Sequence, residues 1–323
     1  MSNNAAVLIP GPAASVQVIS LAGLVDGKTW RHVSDRVFSW RSGDKRWREL
    51  APIPGGVGRL AATAQTVAGQ VYFFGGYTVS EDGAEVSTPD GYELNPATGT
   101  YRRLPDMPVA VDDAVSAVYA DRYVFLVSGW HNNDNVDLVQ VFDTQTHSWL
   151  AATPFPGPPV FGHSGGISGR TLIVCDGVKV LAPANDEERR SFVPSPECYR
   201  GDIDSLDPSR ISWRQISSHP GPALYRSAAA GSGGQIVFFG GTDNPYNYNG
   251  VGYNGIPSEP RNGAFAYVAA EDRWEALAVQ ARPTMDHRAL LTLAPGRWLV
   301  IGGMDESREL LSTTAPITAG VDL

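Results

Sequence analysis

The chain has 323 residues, 42% of them hydrophobic, and a formal net charge of −9 from 25 basic and 34 acidic residues. This acidic balance argues against nucleic acid or an anionic membrane as a partner, because both attract basic surfaces. The chain is too apolar to be disordered, and its 35 glycines and 24 prolines favour many short strands joined by turns.

The N-terminal residues and the cysteines bear on the cellular location. The first six residues, MSNNAA, lack the basic region and apolar core of a signal peptide, and no apolar run approaches the ~18 residues that span a bilayer. We therefore expect a cytoplasmic protein, or a periplasmic one if a leader has been removed. Cys175 and Cys198 are too few for a disulfide framework. Whether they pair is open, and a disulfide would favour the periplasm.

A short apolar run that ends in two glycines recurs along the chain. Such a run predicts a buried strand followed by a turn where the backbone needs positive φ. The clearest copies are residues 71–76 (VYFFGG), 236–241 (IVFFGG) and 298–303 (WLVIGG), and looser copies are residues 125–129 (FLVSG) and 172–177 (LIVCDG). The turns begin at positions 75, 128, 176, 240 and 302, which are 48 to 64 residues apart.

A second marker, an aromatic residue followed by a proline, repeats in step with the first. Its copies are Trp47 and Pro52, Tyr101 and Pro105, Trp149 and Pro154, Trp213 and Pro220, and Trp274 and Pro283. Two markers that repeat together at roughly 50 residues are typical of the kelch repeat, in which each unit is one four-stranded blade of a β-propeller.

We predict one all-β domain over residues 1–323, a six-bladed kelch-type β-propeller with four antiparallel strands per blade. Counting back from Gly75 places a degenerate first blade around residues 16–23, and the sixth blade is also degenerate. After Gly303 one strand is evident, around residues 313–317. We therefore expect the outer strand of the last blade to come from the extreme C-terminus or from the N-terminus.

Blades four and five carry insertions, at residues 178–200 and 242–262. The first contains a charged segment, residues 186–190 (DEERR), and the second is rich in Asn, Tyr and Gly, as in residues 244–250 (NPYNYNG). Long loops in a compact repeat fold serve binding more often than packing, and neutral drift at blade edges is the alternative.

The strand order of a blade predicts which residues share one face. The first two strands form an antiparallel hairpin, so residues just before the first strand and just after the glycine pair should surround the mouth of the central channel. Before the first strands lie Arg59, Asp112, Asp113, His163, Arg226, His287 and Arg288. After the glycine pairs lie Tyr77, Trp130, His131, Asn132, Asn133, Lys179, Asp243, Asn244, Asp305 and Glu306.

Two of these arginines are candidates for binding a carboxylate. Arg226 and Arg288 each lie 14 residues before a glycine pair, so we expect them at matching positions in adjacent blades. Guanidinium groups that converge on a channel mouth can bind a carboxylate through two parallel hydrogen bonds. The alternative is an ordinary solvated rim whose polar residues pair with Asp112, Asp113, Asp243 and Asp305.

The remaining candidates suit a sugar. An aromatic ring such as Trp130 or Tyr246, beside polar amides, matches the apolar face and the hydroxyls of a sugar ring. An acidic sugar would therefore use both kinds of residue. The candidate binding set is Arg59, Asp113, Trp130, His131, Arg226, Asn244, Tyr246, His287 and Arg288.

No metal or other cofactor is expected. The six histidines lack the i, i+4 or H-x-H spacing of a ligand set, and no G-x-S-x-G motif marks a nucleophile. The Tyr and His copper site of galactose oxidase, another kelch-type propeller, has no recognisable counterpart.

The order of these parts resembles that of the bacterial N-acetylneuraminate epimerases, six-bladed mutarotases that interconvert sialic acid anomers. The likeness covers a compact single-domain chain, an insertion in the fourth blade and an Asn/Tyr/Gly-rich loop in the fifth, residues 247–254. The resemblance implies a catalytic Glu just after the fourth blade's turn, and a nearby Arg. This chain has Val178 where that acid is expected, so Asp176 or Glu197 would replace it, with Arg200 as the arginine.

Two functions of different classes follow. In the first, the chain is a mutarotase or epimerase in which Arg226 and Arg288 hold an acidic or amino sugar while Asp176 and His163 exchange protons with it. In the second, it is a non-catalytic propeller that binds a protein or another ligand across the same face.

Overall fold

Six four-stranded antiparallel sheets are arranged as the blades of a propeller. The computed structural model describes residues 1–183, 190–312 and 314–319. From the axis outwards, blades one to three consist of Ala5–Pro10, Val16–Leu24, Val33–Arg41 and Arg48–Leu50; Thr63–Val67, Gln70–Phe74, Gly91–Asn95 and Thr100–Arg103; and Val115–Tyr119, Tyr123–Val127, Val139–Asp143 and Ser148–Ala151. Blades four to six consist of Ser164–Ser168, Thr171–Cys175, Cys198–Ile203 and Ile211–Ile216; Ala228–Ser232, Gln235–Phe239, Ala264–Val268 and Arg273–Leu277; and Leu291–Ala294, Arg297–Ile301, Thr314–Ala319 and Val279–Gln280. The predicted all-β, six-bladed fold with four strands per blade is confirmed.

The first and last blades depart from the sequence-based expectation. The first blade, which the sequence marks only weakly, has all four strands and two 3₁₀ turns, Pro12–Ala14 and Trp30–His32. The outer strand of the last blade is Val279–Gln280, which pairs with Thr314–Ala319. The expectation that a terminus supplies this strand was therefore wrong. The chain passes directly from the outer strand of the fifth blade into the sixth blade, so the outer strand of the sixth blade comes before its other three strands in sequence.

In blades two to six, the second strand is apolar after its first residue, because neighbouring blades cover both of its faces. In the second blade, Val71 and Phe73 pack in a cluster with the first blade, whereas Tyr72 and Phe74 pack in a cluster with the third. Successive strand residues point to opposite faces, so a strand buried on both sides needs an unbroken apolar run. This packing explains the repeated apolar pattern.

The glycine pairs make the turn that the pattern predicts. Both residues have positive φ in every blade, for example +62° at Gly75 and +84° at Gly76. A Cβ atom at Gly76 would lie 2.6 Å from the carbonyl oxygen of Leu60, so no larger residue fits there. Ala22, Ser128 and Asp176 occupy the first turn position of the other blades, at φ of 54° to 66°.

The aromatic marker of the outer strand joins neighbouring blades. In four blades its polar atom donates a hydrogen bond to a backbone carbonyl of the segment that leaves the preceding blade. The bonds are Tyr101 to Ala51 at 2.9 Å, Trp149 to Pro105 at 3.0 Å, Trp213 to Thr153 at 3.3 Å and Trp274 to Ser217 at 2.7 Å.

Backbone hydrogen bonds close the ring around the axis. Just before its first strand, each blade has one residue with positive φ: Asn3, Ala61, Asp113, Gly162, Arg226 and Asp286. We call these six the axial positions. Each bonds to the next around the ring, by its own amide or by that of the following residue, at 2.8 to 3.3 Å. The amide of Asn3 donates to Asp286 at 3.0 Å and so joins the first blade to the sixth.

Three two-stranded ribbons rise from the loops that follow the glycine pairs. They are Tyr77–Val79 with Glu85–Ser87, Trp130–His131 with Asp134–Asn135, and Val178–Leu181 with Ser191–Pro194. In the fifth blade, residues 242–262 occupy the corresponding place. Of the charged insertion in the fourth blade, residues 184–189 lie outside the described residues. We call the side that carries these elements the loop face.

Cys175 and Cys198 form a disulfide, a question that the sequence left open. They face each other directly across the second and third strands of the fourth blade. Among the described residues, no helix is long and apolar enough to span a bilayer.

Candidate functional site

Residues before the first strands and residues after the glycine pairs share the loop face, as predicted. In each blade one residue from each set forms an isolated antiparallel bridge. The pairs are Ser2 with Leu24, Leu60 with Tyr77, Asp112 with Trp130, Phe161 with Val178, Tyr225 with Thr242, and Met285 with Met304.

Arg226 lies on the propeller axis and is only 2% exposed. Its Nε and Nη2 donate to the two carboxylate oxygens of Asp113 at 3.0 and 2.6 Å. Its Nη1 donates to Asp286 Oδ1 at 3.0 Å and to the backbone oxygen of Asn247 at 2.6 Å. The arginine thus joins the axial positions of the third, fifth and sixth blades.

Arg288 reaches the same carboxylate from the channel side. Its Nη1 donates to Asp113 Oδ1 and its Nη2 donates to the backbone oxygen of Ala114, both at 2.7 Å. Burial would raise the pKa of Asp113, but Arg226 and Arg288 hold it below its ordinary value. We call Asp113, Arg226, Asp286 and Arg288 the axial cluster. The two arginines do converge on a carboxylate, and that carboxylate is the chain's own.

The two arginines are not structurally equivalent. The residue that matches Arg226, with positive φ and directly after the bridging residue, is Asp286. Arg288 lies two residues further along, because the sixth blade has a longer lead into its first strand and a register shift between Thr292 and Ala294. Counting back 14 residues from the glycine pair therefore gave a wrong match. The alternative of rim residues paired with aspartates holds for Asp113, although the pairing is buried and not solvated.

Below the axial cluster, the first strands enclose a channel of about 390 Å³. His163, His287 and Arg288 line it. The pKa of each imidazole is lowered to about 4 by burial, so both are neutral at pH 7. His163 Nε2 lies 2.8 Å from the backbone oxygen of Val127, and His287 Nε2 lies 2.7 Å from Thr284 Oγ1.

The three candidate catalytic residues are not brought together. Asp176 is buried and lies 2.8 Å from His219 Nε2, against the fifth blade. Arg200 lies on the third strand of the fourth blade and bonds to Asp202 at 3.0 Å and to the backbone of Ala269 at 2.9 Å. Neither Asp176 nor Arg200 lines the channel, so His163 is the one of these three candidates that does.

Four further candidates stabilise loops and blade junctions. Buried Arg59 bonds to Thr88 Oγ1 at 3.0 Å and Asp90 Oδ2 at 2.5 Å. Tyr246 is fully buried, and the Arg226 guanidinium lies over its ring, 5.6 Å from the ring centre. The Tyr246 ring therefore offers no open face to a sugar. Asn244 Nδ2 bonds to Ile256 O at 2.9 Å, within the loop of the fifth blade, and His131 Nδ1 lies 2.6 Å from the backbone oxygen of Ala110.

Above the axial cluster lies a second, smaller cavity of about 40 Å³, which we call the aromatic cleft. Its aromatic wall consists of Tyr77, Trp130, Phe161, Phe192 and Tyr253. Phe192 stacks on Tyr253 with ring centroids 4.0 Å apart, and Trp130 meets the edge of Phe161 at 5.3 Å. The polar lining consists of Glu85, Asp112, Asp113, Arg226 and Asn247.

The loop of the fifth blade crosses the axis to reach the second blade. Asn247 Nδ2 donates to Glu85 Oε1 at 2.6 Å, and Tyr77 OH donates to Asn247 Oδ1 at 3.4 Å. Sequence reasoning missed Glu85, Phe192, Asn247 and Tyr253 as lining residues. Glu85 and Phe192 lie on the second strands of their ribbons. The alternation of inward and outward side chains along a strand could have identified them.

The comparisons with known proteins bear on the fold. No protein-family model matches the chain. Kelch domain-containing protein 3 of Bos taurus is 29% identical over 214 residues, which cover 61% of this chain and 51% of that protein. A putative F-box/kelch-repeat protein of Arabidopsis thaliana is 24% identical over 212 residues, which cover 64% and 54%. The chain therefore spans about half the length of the curated relatives it matches.

A solved structure described as "Structure of YjhT" superposes with a TM-score of 0.76 at 16% identity, covering 99% of this chain and 95% of that one. At this identity the likeness shows the fold alone. The chain is a kelch-type β-propeller. The resemblance to sialic acid mutarotases stays a prediction.

On this kelch propeller, exposed apolar side chains concentrate on the loop face. Eight large apolar side chains of the described residues are exposed, and six of them lie on the ribbons or loops of this face. The six are Val57, Val86, Leu181, Val251, Tyr253 and Ile256, whereas Leu150 and Leu206 lie elsewhere. Within the described ranges, no three His, Cys, Asp or Glu side chains are grouped so as to hold a metal ion.

Proposed function

We propose that the chain is a non-catalytic kelch propeller that binds a segment of another protein across its loop face. The observation that carries this proposal is the set of exposed apolar side chains on the loop face, among them Val86, Tyr253 and Ile256. Apolar surface that is clustered on one face of a soluble domain marks an interaction site more often than scattered apolar residues do.

Two further observations support binding without catalysis. The arginines expected to hold a substrate carboxylate are already bonded to Asp113 and Asp286. The curated relatives are described by their kelch domains or repeats, and one is described as an F-box/kelch-repeat protein. An acidic chain with apolar side chains on one face suits a partner segment that carries apolar and basic residues.

A random peptide library displayed on phage tests this proposal. We expect enriched peptides to bind the purified chain and to bind Val86→Ser and Ile256→Ser variants at least tenfold more weakly. Leu206→Ser is the matched control, because Leu206 is an exposed apolar residue in the turn between the third and fourth strands of its blade, away from the loop face. Failure to enrich any peptide, or equal weakening by all three substitutions, would contradict the proposal.

A second candidate function uses the channel. Its volume of about 390 Å³ and its lining by Arg288 and His163 favour a small acidic ligand such as an acidic sugar. Mutarotation would then use neutral His163 to take the proton of the anomeric hydroxyl while the bond between the anomeric carbon and the ring oxygen breaks. The ring oxygen would receive a proton from water, and Arg288 would lie beside the carboxylate. NMR exchange spectroscopy with N-acetylneuraminate tests it: faster exchange between the anomers that is lost in Arg288→Ala would support the mutarotase, and unchanged exchange would refute it.

The cellular location is part of the proposal. The sequence predicts the cytoplasm, whereas the disulfide between Cys175 and Cys198 favours an oxidising compartment such as the periplasm. We propose the oxidising compartment. Alkylation of free thiols in freshly isolated protein without reductant, followed by mass spectrometry, tests this proposal. An unchanged protein mass would support it, and labelling of both cysteines would contradict it.

A further inference from the structure

The aromatic cleft is surrounded by more carboxyl groups than guanidinium groups. Around it lie the carboxyl groups of Glu85, Asp112, Asp113 and Asp286 and the guanidinium groups of Arg226 and Arg288. Both arginines are bonded to Asp113, and Arg226 also bonds to Asp286. Among the described residues, Glu85 and Asp112 form no ion pair, so these two carboxyl groups of the cleft lack a cationic partner.

Asp112 is the buried member of this unbalanced pair. It is 2% exposed and lines the cleft. Its Oδ2 accepts a hydrogen bond from Ser87 Oγ at 2.6 Å, and no donor of the described residues reaches Oδ1. Burial, and then the neighbouring charge of Asp113, raise the pKa of Asp112 well above its ordinary value. A cation in the cleft would relieve both effects.

Glu85 and the aromatic wall complete the site. Burial raises the pKa of Glu85, although its Oε1 accepts a hydrogen bond from Asn247. Aromatic faces attract cations, and arginine more often than lysine occupies such places. The wall already shows this property at its rim, where the guanidinium of Arg190 lies 5.6 Å from the centre of the Trp130 ring.

We propose that the aromatic cleft anchors one cationic side chain, the guanidinium of an arginine or the ammonium of a lysine, from the protein segment that binds the loop face. Glu85 and Asp112 would accept its hydrogen bonds, and Tyr253 and Trp130 would flank it. A cavity of about 40 Å³ admits a group of a few heavy atoms and excludes a whole sugar or nucleotide. This inference rests on the proposed function for the identity of the partner.

A pair of isosteric probes tests the site without a partner protein. N-butylguanidinium carries the cation, and N-butylurea has the same shape without charge. In saturation-transfer NMR we expect N-butylguanidinium to bind saturably and N-butylurea to bind at least tenfold more weakly. Equal binding of the two probes, or no binding of either, would overturn the inference.

Substitutions assign the binding to the cleft. Glu85→Gln and Asp112→Asn each keep the shape of the side chain but replace a carboxyl group, which can become negatively charged beside a cation, by a neutral amide. Each should weaken the binding of N-butylguanidinium at least tenfold. Glu81→Gln is the matched control, because Glu81 lies between the two strands of the ribbon that carries Glu85, and its side chain is exposed. Tyr253→Leu removes an aromatic face from a partly exposed position and should weaken binding about threefold or more. Loss of binding in Glu81→Gln, or none in Glu85→Gln and Asp112→Asn, would contradict the assignment.

The peptide library separates this inference from the proposed function. Selected peptides enriched in Arg or Lys, whose binding falls at least tenfold in Glu85→Gln, would support the inference. Peptides that require Val86 and Ile256 but tolerate Glu85→Gln would overturn it and leave the proposed function standing. Binding of N-butylguanidinium without any binding peptide would instead refute the proposed protein partner.

Discussion

Replacing Arg226 with methionine tests whether the axial cluster holds the ring together. The guanidinium donates to Asp113, Asp286 and the backbone of Asn247, and it is 2% exposed. Methionine fills similar space but leaves two buried carboxylates without their main cation. Removing one partner of a buried ion pair costs about 3–5 kcal/mol, so we expect Arg226→Met to lower the free energy of unfolding by that amount at pH 7.

The cost should shrink in acid. Burial tends to raise the pKa of Asp113, but Arg226 and Arg288 hold it below 3.8. A group with a lowered pKa contributes stability above its unfolded pKa, and that contribution disappears as the pH falls through the folded value. Burial raises the pKa of Asp286, and Arg226 opposes this rise. Without Arg226 both carboxyl groups take up protons at higher pH, so the variant should lose less stability at pH 4 than at pH 7.

Urea denaturation followed by tryptophan fluorescence measures this difference at both pH values. Arg261→Met is the matched control, because Arg261 forms an exposed ion pair with Asp243 in the same blade. Exposed pairs contribute at most about 1 kcal/mol. The reasoning is refuted if Arg226→Met costs no more than Arg261→Met at pH 7, or if its cost does not fall in acid.

Three further measurements test the structure. Gly76→Ala should lower the free energy of unfolding by about 2–4 kcal/mol and Gly99→Ala by about 1 kcal/mol. Both glycines have positive φ, but only at Gly76 would a Cβ atom meet the backbone, at 2.6 Å. Equal losses in urea denaturation would contradict this. Burial raises the pKa of Asp112, so this residue makes the protein less stable as the pH rises above 3.8. Asp112→Asn should therefore make the free energy of unfolding depend less on pH between pH 4 and pH 7, and an unchanged pH dependence would contradict this. Reduction of the disulfide, which joins residues 23 apart in sequence, should lower the free energy of unfolding by about 3 kcal/mol. The stability of the double variant Cys175→Ala/Cys198→Ala should not change when reductant is added.

The fold could be predicted because its constraints are local and repeated. A second strand that is covered on both faces must be apolar throughout, as Val71 to Phe74 are, and the turn after it leaves no room for a side chain at Gly76. These conditions recur in blades two to six, so the pattern was visible without knowledge of contacts. The outer strand Val279–Gln280 has only two residues and carries neither marker, which is why its place in the sixth blade was not found.

The candidate site was only partly predictable, because its contacts join distant parts of the chain. Sequence spacing placed Arg226 at the channel mouth, but its partner Asp113 lies 113 residues away and in another blade. Asp176 pairs with His219 across a blade junction, which removes it from any solvent-accessible site. Spacing locates a residue on one blade and does not identify which side chain of another blade meets it.

The axial cluster also separates the two candidate functions in space. Asp113 and Arg226 line the aromatic cleft and Arg288 lines the channel, and none of the residues that the structure describes lines both cavities. Because Asp113 is bonded to both arginines, the charges between the cavities are already paired before any ligand binds. A ligand on the loop face therefore needs no change in the channel. We expect Glu85→Gln to affect only cation and peptide binding, and any effect of Arg288→Ala to be confined to ligands of the channel.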